Sequence, residues 1–316
     1  MSLGVLAPGA LTTVQDGGRS GWRHLGVALA GVLDAEAAAL ANRLVGNADN
    51  AAVLEITLHG PTLQLLQPVR IAICGADVQA HSEDESGTRT AIPGGRPVDL
   101  PTGIVHLGAI RNGLRAWVAI AGGIDVPMVL GSRSTDLRGG FGGLEGRALR
   151  RGDRLALATP PPLDCVIPRM TKWWVDPIDH DREAPVRFVP STHPAATRLA
   201  GSHWRVSARS NRQGLRLEGA ALPATGGDVI SAAVAPGTLQ LPSDGQPIML
   251  LADAQTVGGY PRLGHVIAAD LPRLAQWRPG EGLRLQPVDA REAAALSLAR
   301  RAQYARLHHA VADRQA

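Results

Sequence analysis

Short apolar runs separated by glycine and proline dominate the chain, and most have strand length with strand-type residues. Residues 53–58, 69–73, 104–107, 117–120, 186–189, 204–207, 215–218 and 248–252 read as strands. Residues 11–19 read as a strand running into a glycine turn, and the polar stretch 81–89 reads as a loop. Helical spacing is confined to three places. Asp34 stands as an N-cap before residues 35–45, whose apolar face carries Ala37, Leu40, Ala41 and Leu44, and Gly46 follows as the C′ residue. A short helical piece lies at 195–200, and an arginine-bearing helical tail begins at Asp289 and reaches His308. Many strands with few helices predict a sandwich or barrel and not a βαβ alternation.

Parts of the pattern recur. Thr62-Leu63-Gln64-Leu65 returns as Thr238-Leu239-Gln240-Leu241, and the strand 117–121 followed by Gly122-Gly123 resembles the strand 248–252 followed by Gly258-Gly259. Each half closes on a glycine-acid turn and an alternating strand, beginning at Gly152-Asp153 and at Gly280-Glu281. The recurrence predicts two related β lobes. The expected boundaries are an N-terminal β lobe over 1–160, a proline-rich linker over 161–185, a C-terminal β lobe over 186–288 and a helical tail over 289–316.

Composition narrows the chemistry. The 316 residues suffice for a large core, and 37 Gly with 23 Pro supply the turns. No apolar run approaches the roughly 20 residues that span a bilayer. The amino terminus lacks a signal peptide's basic and apolar regions, so no membrane association and a cytoplasmic address are expected. The formal charge of +4 comes from scattered arginines without a stacking-aromatic pattern, which argues against a nucleic-acid partner. Lys172 is the only lysine; it lies outside any Walker A loop and outside the Met-Lys-Met context of biotin attachment. The stretch 139–143 imitates a dinucleotide fingerprint, but Glu145 stands where the third glycine belongs. No Gly-x-Ser-x-Gly elbow is present. The ten histidines fall in no recognised metal spacing, so no metal is expected. Cys74 and Cys165 read as free, buried thiols.

Two segments gather polar chemistry. In residues 246–272 a buried-type strand delivers Asp253, Gln255, Thr256 and Tyr260 onto a turn set by Gly258, Gly259 and Pro261, where they could orient an amide or lactam. Gln240, opposed to Leu239 and Leu241, joins them if its face lines a barrel mouth. The loop bearing Arg133, Ser134, Asp136 and Arg138, with Arg147 beyond its glycines, suits a planar anion, or else is stapled by its own Arg–Asp pairs. Arg212 and Arg216 are further anion candidates. Asp16 and Arg19 are expected to fix the amino-terminal turn, and Asn42 with Asn47 to brace the first helix. Glu55, in an apolar strand, is either paired with an arginine or catalytic.

Several motifs, in order along the chain, carry a family resemblance. They are Val14-Gln15-Asp16-Gly17-Gly18-Arg19, Ala41-Asn42-Arg43-Leu44-Val45-Gly46-Asn47, Leu54-Glu55 with Gly60-Pro61, the run 122–147, and Gly237-Thr238-Leu239-Gln240 through Asp270-Leu271-Pro272. From about residue 5 to about residue 288 the chain resembles the biotin-dependent carboxyltransferase family of the allophanate hydrolase subunit 2 type. That family includes the C component of ATP-dependent 5-oxoprolinase, the matching region of urea carboxylase, and an antagonist of a sporulation-kinase inhibitor. The resemblance implies a mainly β fold of two cyclophilin-like β-barrel lobes with a few short helices and a C-terminal helix. It also implies a companion of the allophanate hydrolase subunit 1 type, like the B component of 5-oxoprolinase, and a further lactam-acting subunit. The first implied activity is ATP-coupled opening of the lactam 5-oxoproline to glutamate, with ATP a co-substrate held by this chain or by a partner. The alternatives are carboxylate transfer from a carboxybiotin carried by another protein to a urea-like substrate, and non-enzymatic sequestration of a kinase inhibitor. In two segments the chain departs from the family: Ser210-Asn211-Arg212-Gln213-Gly214 stands where the family has Ser-Asp-Arg-Met-Gly, which removes a carboxylate at Asn211, and residues 189–203 lack the Pro-Gln and Trp-Phe signature usual before it.

Overall fold

The computed structural model describes residues 2–158, 162–175, 183–223 and 230–315. Residues 161 and 176–182 of the expected linker lie outside them. The chain divides into two units. The first comprises Met1–Arg19, Asp34–Asp179 and Leu307–Ala316, and the second Ser20–Leu33 and His180–Arg306.

In the first unit the alternating runs form two antiparallel sheets. One has the order Ile124–Asp125, Arg154–Leu157, Ser2–Ala7, Thr62–Leu65, Gly103–Ile110, Val78–Glu83, Arg89–Ala91. The other runs Arg169–Met170, Val98–Leu100, Val69–Gly75, Arg115–Ile120, Val53–Thr57, Leu11–Gln15. Both contribute to one core, with Leu3, Leu63 and Leu107 from the first sheet and Leu54, Ile71 and Val118 from the second. The helix Ala35–Leu44 packs on Arg115–Ile120 and Val69–Gly75. Arg115–Ile120 is consequently buried at every position, which is why it reads as a continuous run and not as an alternation. Asp34 caps this helix, its carboxylate accepting from Ala37 N at 2.9 Å. Such a cap contributes about 1 kcal/mol. Asn42 and Asn47 brace the helix end: Asn47 Nδ2 donates to Asn42 Oδ1 and to Ile120 O, while Asn42 Nδ2 reaches Ala51 O.

The choice left open at Glu55 falls to pairing. Its buried carboxylate accepts from Trp117 Nε1 at 3.0 Å and lies 3.8 Å from Arg115 Nε. The expected loop over 81–89 is corrected. Residues up to Glu83 continue the strand Val78–Glu83, Arg89–Ala91 pairs back on it, and only the turn between them is loop. Ala80 and Ser82 face inward while Gln79, His81 and Glu83 face outward, so too few apolar residues mark the strand. Asp84 closes the turn, accepting from the backbone amides of Ser86 and Thr88 at 2.9 Å each.

The second unit holds one eight-stranded sheet. Its order is Gly282–Leu283, Trp204–Val206, Gly214–Glu218, Ile248–Leu250, Thr238–Gln240, Arg262–Val266, Val186–Pro190, Leu285–Pro287. The first and last strands are neighbours in sequence, separated by Arg284 alone, so the sheet curls into a nearly closed barrel. Its interior is filled by Phe188, Trp204, Leu217, Leu239, Met249 and Leu263. The segment Ser20–Leu33 joins this unit through Ala30 N, which donates to Ala252 O at 3.0 Å, and through Leu33, which packs on the barrel core. The C-terminal helix spans Ala290–Gln315, and Asp289 accepts from Glu292 N at 2.8 Å at its start. Among the described residues no helix is long and apolar enough to cross a membrane.

The Thr-Leu-Gln recurrence marks equivalent strands. Thr62 pairs with His106 and Thr238 with His265, and each threonine Oγ1 lies 3.4 Å from its histidine's Nδ1. The strand beyond is equivalent as well, His81 standing opposite His106 where Val189 stands opposite His265. The closing turns match too: Gly152 N donates to Val5 O at 2.9 Å, and Gly280 N to Val206 O at 2.7 Å. The glycine pairs are not equivalent, since Gly122 lies in a turn whereas Gly258 pairs with Ala232 in a two-stranded ribbon.

Cys74 and Cys165 are free and buried. Burial pushes the Cys74 thiol up to about 12, which leaves almost no thiolate at neutral pH. Cys74 is therefore expected to resist alkylation by iodoacetamide at pH 8 until denaturant is added. Peptide mapping with and without denaturant checks this, and rapid native-state modification of Cys74 would contradict the packing.

Candidate functional site

In the first unit the arginine-bearing loop is organised by Asp16. Its Oδ1 accepts from Ser132 Oγ and Ser134 Oγ, both at 2.5 Å, and from Gly18 N at 2.9 Å; its Oδ2 accepts from Arg133 N at 2.6 Å. Arg19, fully buried, donates to Val129 O and Ser134 O and lies over the Phe141 ring. Gly142 must be glycine: its φ is +70°, and a Cβ there would fall 2.0 Å from Arg19 Nη2. Asp136 accepts from the backbone amides of Arg138 and Gly139. Arg147 is held by two carboxylates, with Nη1 to Asp153 Oδ2 at 2.7 Å and Nη2 to Glu145 Oε2 at 2.7 Å. Its pKa is raised, chiefly by the hydrogen bonds to Asp153, whose own carboxyl is correspondingly lowered. Arg133 donates to Val126 O and approaches Asp125 at 3.6 Å. Arg138 is exposed, and Ser134 is fully buried. The fork of Arg147 and much of the loop's hydrogen-bonding capacity therefore hold the loop itself.

In the second unit Asp253 and Arg212 form a bidentate ion pair. Arg212 Nε donates to Asp253 Oδ2 at 2.9 Å and Nη2 to Oδ1 at 3.0 Å, with both side chains only 4% exposed. Arg212 Nη2 also donates to Gly31 O. The pair clamps the turn that follows Ile248–Leu250. Gln240 is 1% exposed, and its Nε2 has no hydrogen-bond partner among the described residues. It lies under Gly258, where a Cβ would come within 2.5 Å of that nitrogen. Gln255 Nε2 reaches Gln240 Oε1 at 3.5 Å, Thr256 is buried with its carbonyl accepting from Val234 N, and Tyr260 is exposed. Arg216 is exposed on the strand Gly214–Glu218.

In the same unit lies a cavity of about 890 Å³, walled in part by Arg23, Ser191, His193, Thr238, Arg262 and His265 and, among the described residues, by no acidic one. Arg23 Nη2 donates to Val234 O, whereas its buried Nη1 has no partner among the described residues. Burial lowers the Arg23 pKa, yet an arginine keeps its charge. Two arginines, Arg23 and Arg262, with no acid among the described lining residues favour a bound anion. Desolvation lowers the His265 pKa, so this ring is neutral at pH 7 and can donate or accept beside Thr238. Arg262 is the register partner of Gln240. The structure thus gathers Asp253, Gln255, Thr256, Gln240 and Arg212 in the second unit, while Arg133, Ser134, Asp136, Arg138 and Arg147 belong to the first.

Sequence reasoning missed Arg23, His193, Arg262 and His265. Arg262 and His265 were open to view as the polar, exposed positions of Arg262–Val266, whose apolar Leu263 and Val266 are buried. For Arg23 the only signal was a glycine, Gly21, two residues before it in a turn-rich stretch.

A family model for the carboxyltransferase domain, subdomain A and B, matches residues 25–287. The chain is similar to the C component of 5-oxoprolinase from Escherichia coli strain K12, at 39% identity over 92% of this chain and 93% of that protein. It is also similar to the C component of 5-oxoprolinase from Haemophilus influenzae, at 34% identity over 90% of each. Among solved structures it resembles Kluyveromyces lactis urea carboxylase, with a TM-score of 0.83 and 30% identity over 96% of this chain and 29% of that one. The chain belongs to the family of the carboxyltransferase domain, subdomain A and B.

Proposed function

We propose that this chain is the C-type component of an ATP-dependent 5-oxoprolinase complex, which opens the lactam 5-oxoproline to glutamate in the cytoplasm. The observation that carries this reading is similarity to the C component of Escherichia coli 5-oxoprolinase over nearly the whole of both chains. The cavity of the second unit supplies suitable chemistry. Its Arg23 and Arg262 match the substrate carboxylate, and Thr238, His265 and the nearby Gln240 amide supply neutral groups that orient a lactam carbonyl. Asp253 acts by fixing Arg212, and Gln255, Thr256 and Tyr260 lie on the segment that leads into the lining residues Pro261 and Arg262. Arg133, Ser134, Asp136, Arg138, Arg147 and Arg216 stand further from this role as anion ligands. An unstrained amide needs activation, so ATP is the co-substrate, held by this chain or by a companion subunit. The companions are an allophanate hydrolase subunit 1-type protein and a lactam-acting subunit.

The test is co-expression with both companions, followed by glutamate release from 5-oxoproline. Release is expected only with ATP and only when this chain is present. A complex equally active without this chain would overturn the proposal. A second reading, carboxylate transfer from biotin to a urea-like nitrogen, draws on the match to the carboxyltransferase model and the likeness to urea carboxylase. Arg23 and Arg262 of the same cavity suit the carboxylate of a carboxylated biotin ring. ATP- and bicarbonate-dependent carboxylation of urea with a biotin carboxylase partner, without lactam turnover, would favour it.

A further inference from the structure

We propose that His81, Glu83 and His106 form a binding site for one divalent transition-metal ion of the zinc class on the outer face of the first unit. The three residues lie on the adjacent antiparallel strands Val78–Glu83 and Gly103–Ile110. His81 is the register partner of His106, and Glu83, two residues along, projects from the same face. One ligand atom from each residue lies within 4.8 Å of the other two. The two imidazoles are stacked, with centroids 4.6 Å apart and planes inclined by 13°. Both Nε2 atoms are buried and have no hydrogen-bond partner among the described residues. Two orphaned nitrogens on stacked rings are costly by themselves, and a shared cation satisfies both.

The surroundings fit ligation. Thr62 Oγ1 lies 3.4 Å from His106 Nδ1, engaging that nitrogen and leaving Nε2 to face the cluster, as an outer brace on a metal-bound imidazole does. His106 Nε2 already lies 3.8 Å from Glu83 Oε2. Two imidazole nitrogens with one carboxylate oxygen are a donor set for zinc or a similar ion, leaving a position for water. One group competes: Arg89 Nε donates to the same Glu83 Oε2 at 2.9 Å. A metal must draw that oxygen away from the guanidinium and bring the three donors closer together.

The equivalent strands of the second unit provide an internal comparison. They carry His265 beside Thr238, but Val189 and Ser191 stand at the positions of His81 and Glu83. The duplicated scaffold thus places a full donor set in the first unit only. The second unit uses the same positions to wall its cavity.

The test is isothermal titration of the chelator-treated full chain with zinc, and with cobalt as a spectroscopic probe. One ion per chain is expected, with visible cobalt absorption that His81→Ala and His106→Ala each abolish, and with zinc affinity reduced at least tenfold in each variant. Arg89→Gln, an exposed change expected to leave the fold intact, should tighten zinc binding by freeing Glu83. The proposal is overturned if zinc binds with the same affinity in the double variant His81→Ala/His106→Ala, or does not bind the parent chain. It is equally overturned if Arg89→Gln leaves affinity unchanged or weakens it, a result that stands even if the histidine variants fail to fold.

Discussion

Replacing Arg212 with alanine is expected to destabilise the second unit by about 3–5 kcal/mol, the cost of leaving a buried carboxylate without its partner. Asp253 and Arg212 are both 4% exposed, so water cannot take over from the lost guanidinium. The same change removes the donor to Gly31 O, which ties the segment Ser20–Leu33 to the barrel. Urea denaturation followed by tryptophan fluorescence reads the loss, because Trp204 and Trp277 lie in the core of this unit. Removing both partners, as Arg212→Ala with Asp253→Ala, should recover part of the stability, since the stranded charge is then gone. An Arg212→Ala protein within 1 kcal/mol of the parent would refute the description of this pair as buried and mutually dependent.

Substitution of Arg23 with alanine is expected to lower the kcat/KM of ATP-dependent glutamate release by about 100-fold in the reconstituted complex, equivalent to about 2.7 kcal/mol. Arg23 is anchored on Val234 O and brings its charge to the wall of the cavity. Its stability effect should be small, near the ~1 kcal/mol of a single hydrogen bond. Arg23→Lys should recover only part of the activity, because an ammonium keeps the charge but loses the planar fork. Full activity in Arg23→Ala would remove this cavity from consideration as the lactam site.

Much of the mainly β fold was legible where burial and alternation agree. Residues 53–58 and 215–218 were readable because core positions recur along them, and Asp34 because an N-cap acts within three residues of itself. The strand Val78–Glu83 was not, since its outward face is wholly polar. That one misreading concealed His81 and Glu83, which are two residues apart and face the same way only if the backbone is extended. Candidate arginines were visible as residue types, but their partners were not. Arg212 finds its carboxylate 41 positions away and Arg19 an acceptor 115 away, distances over which local pattern is silent. Arg23 was hidden for the same reason, its acceptor lying 211 positions on.

The short stretch from Gly282 to Pro287 seals the barrel on both sides of its seam. Were it lost, two rows of bare amides and carbonyls would be uncovered at once, along Trp204–Val206 and along Val186–Pro190. Each would be a template on which a neighbouring copy could add a strand. Six residues near the start of the final helix thereby guard the molecule against self-association.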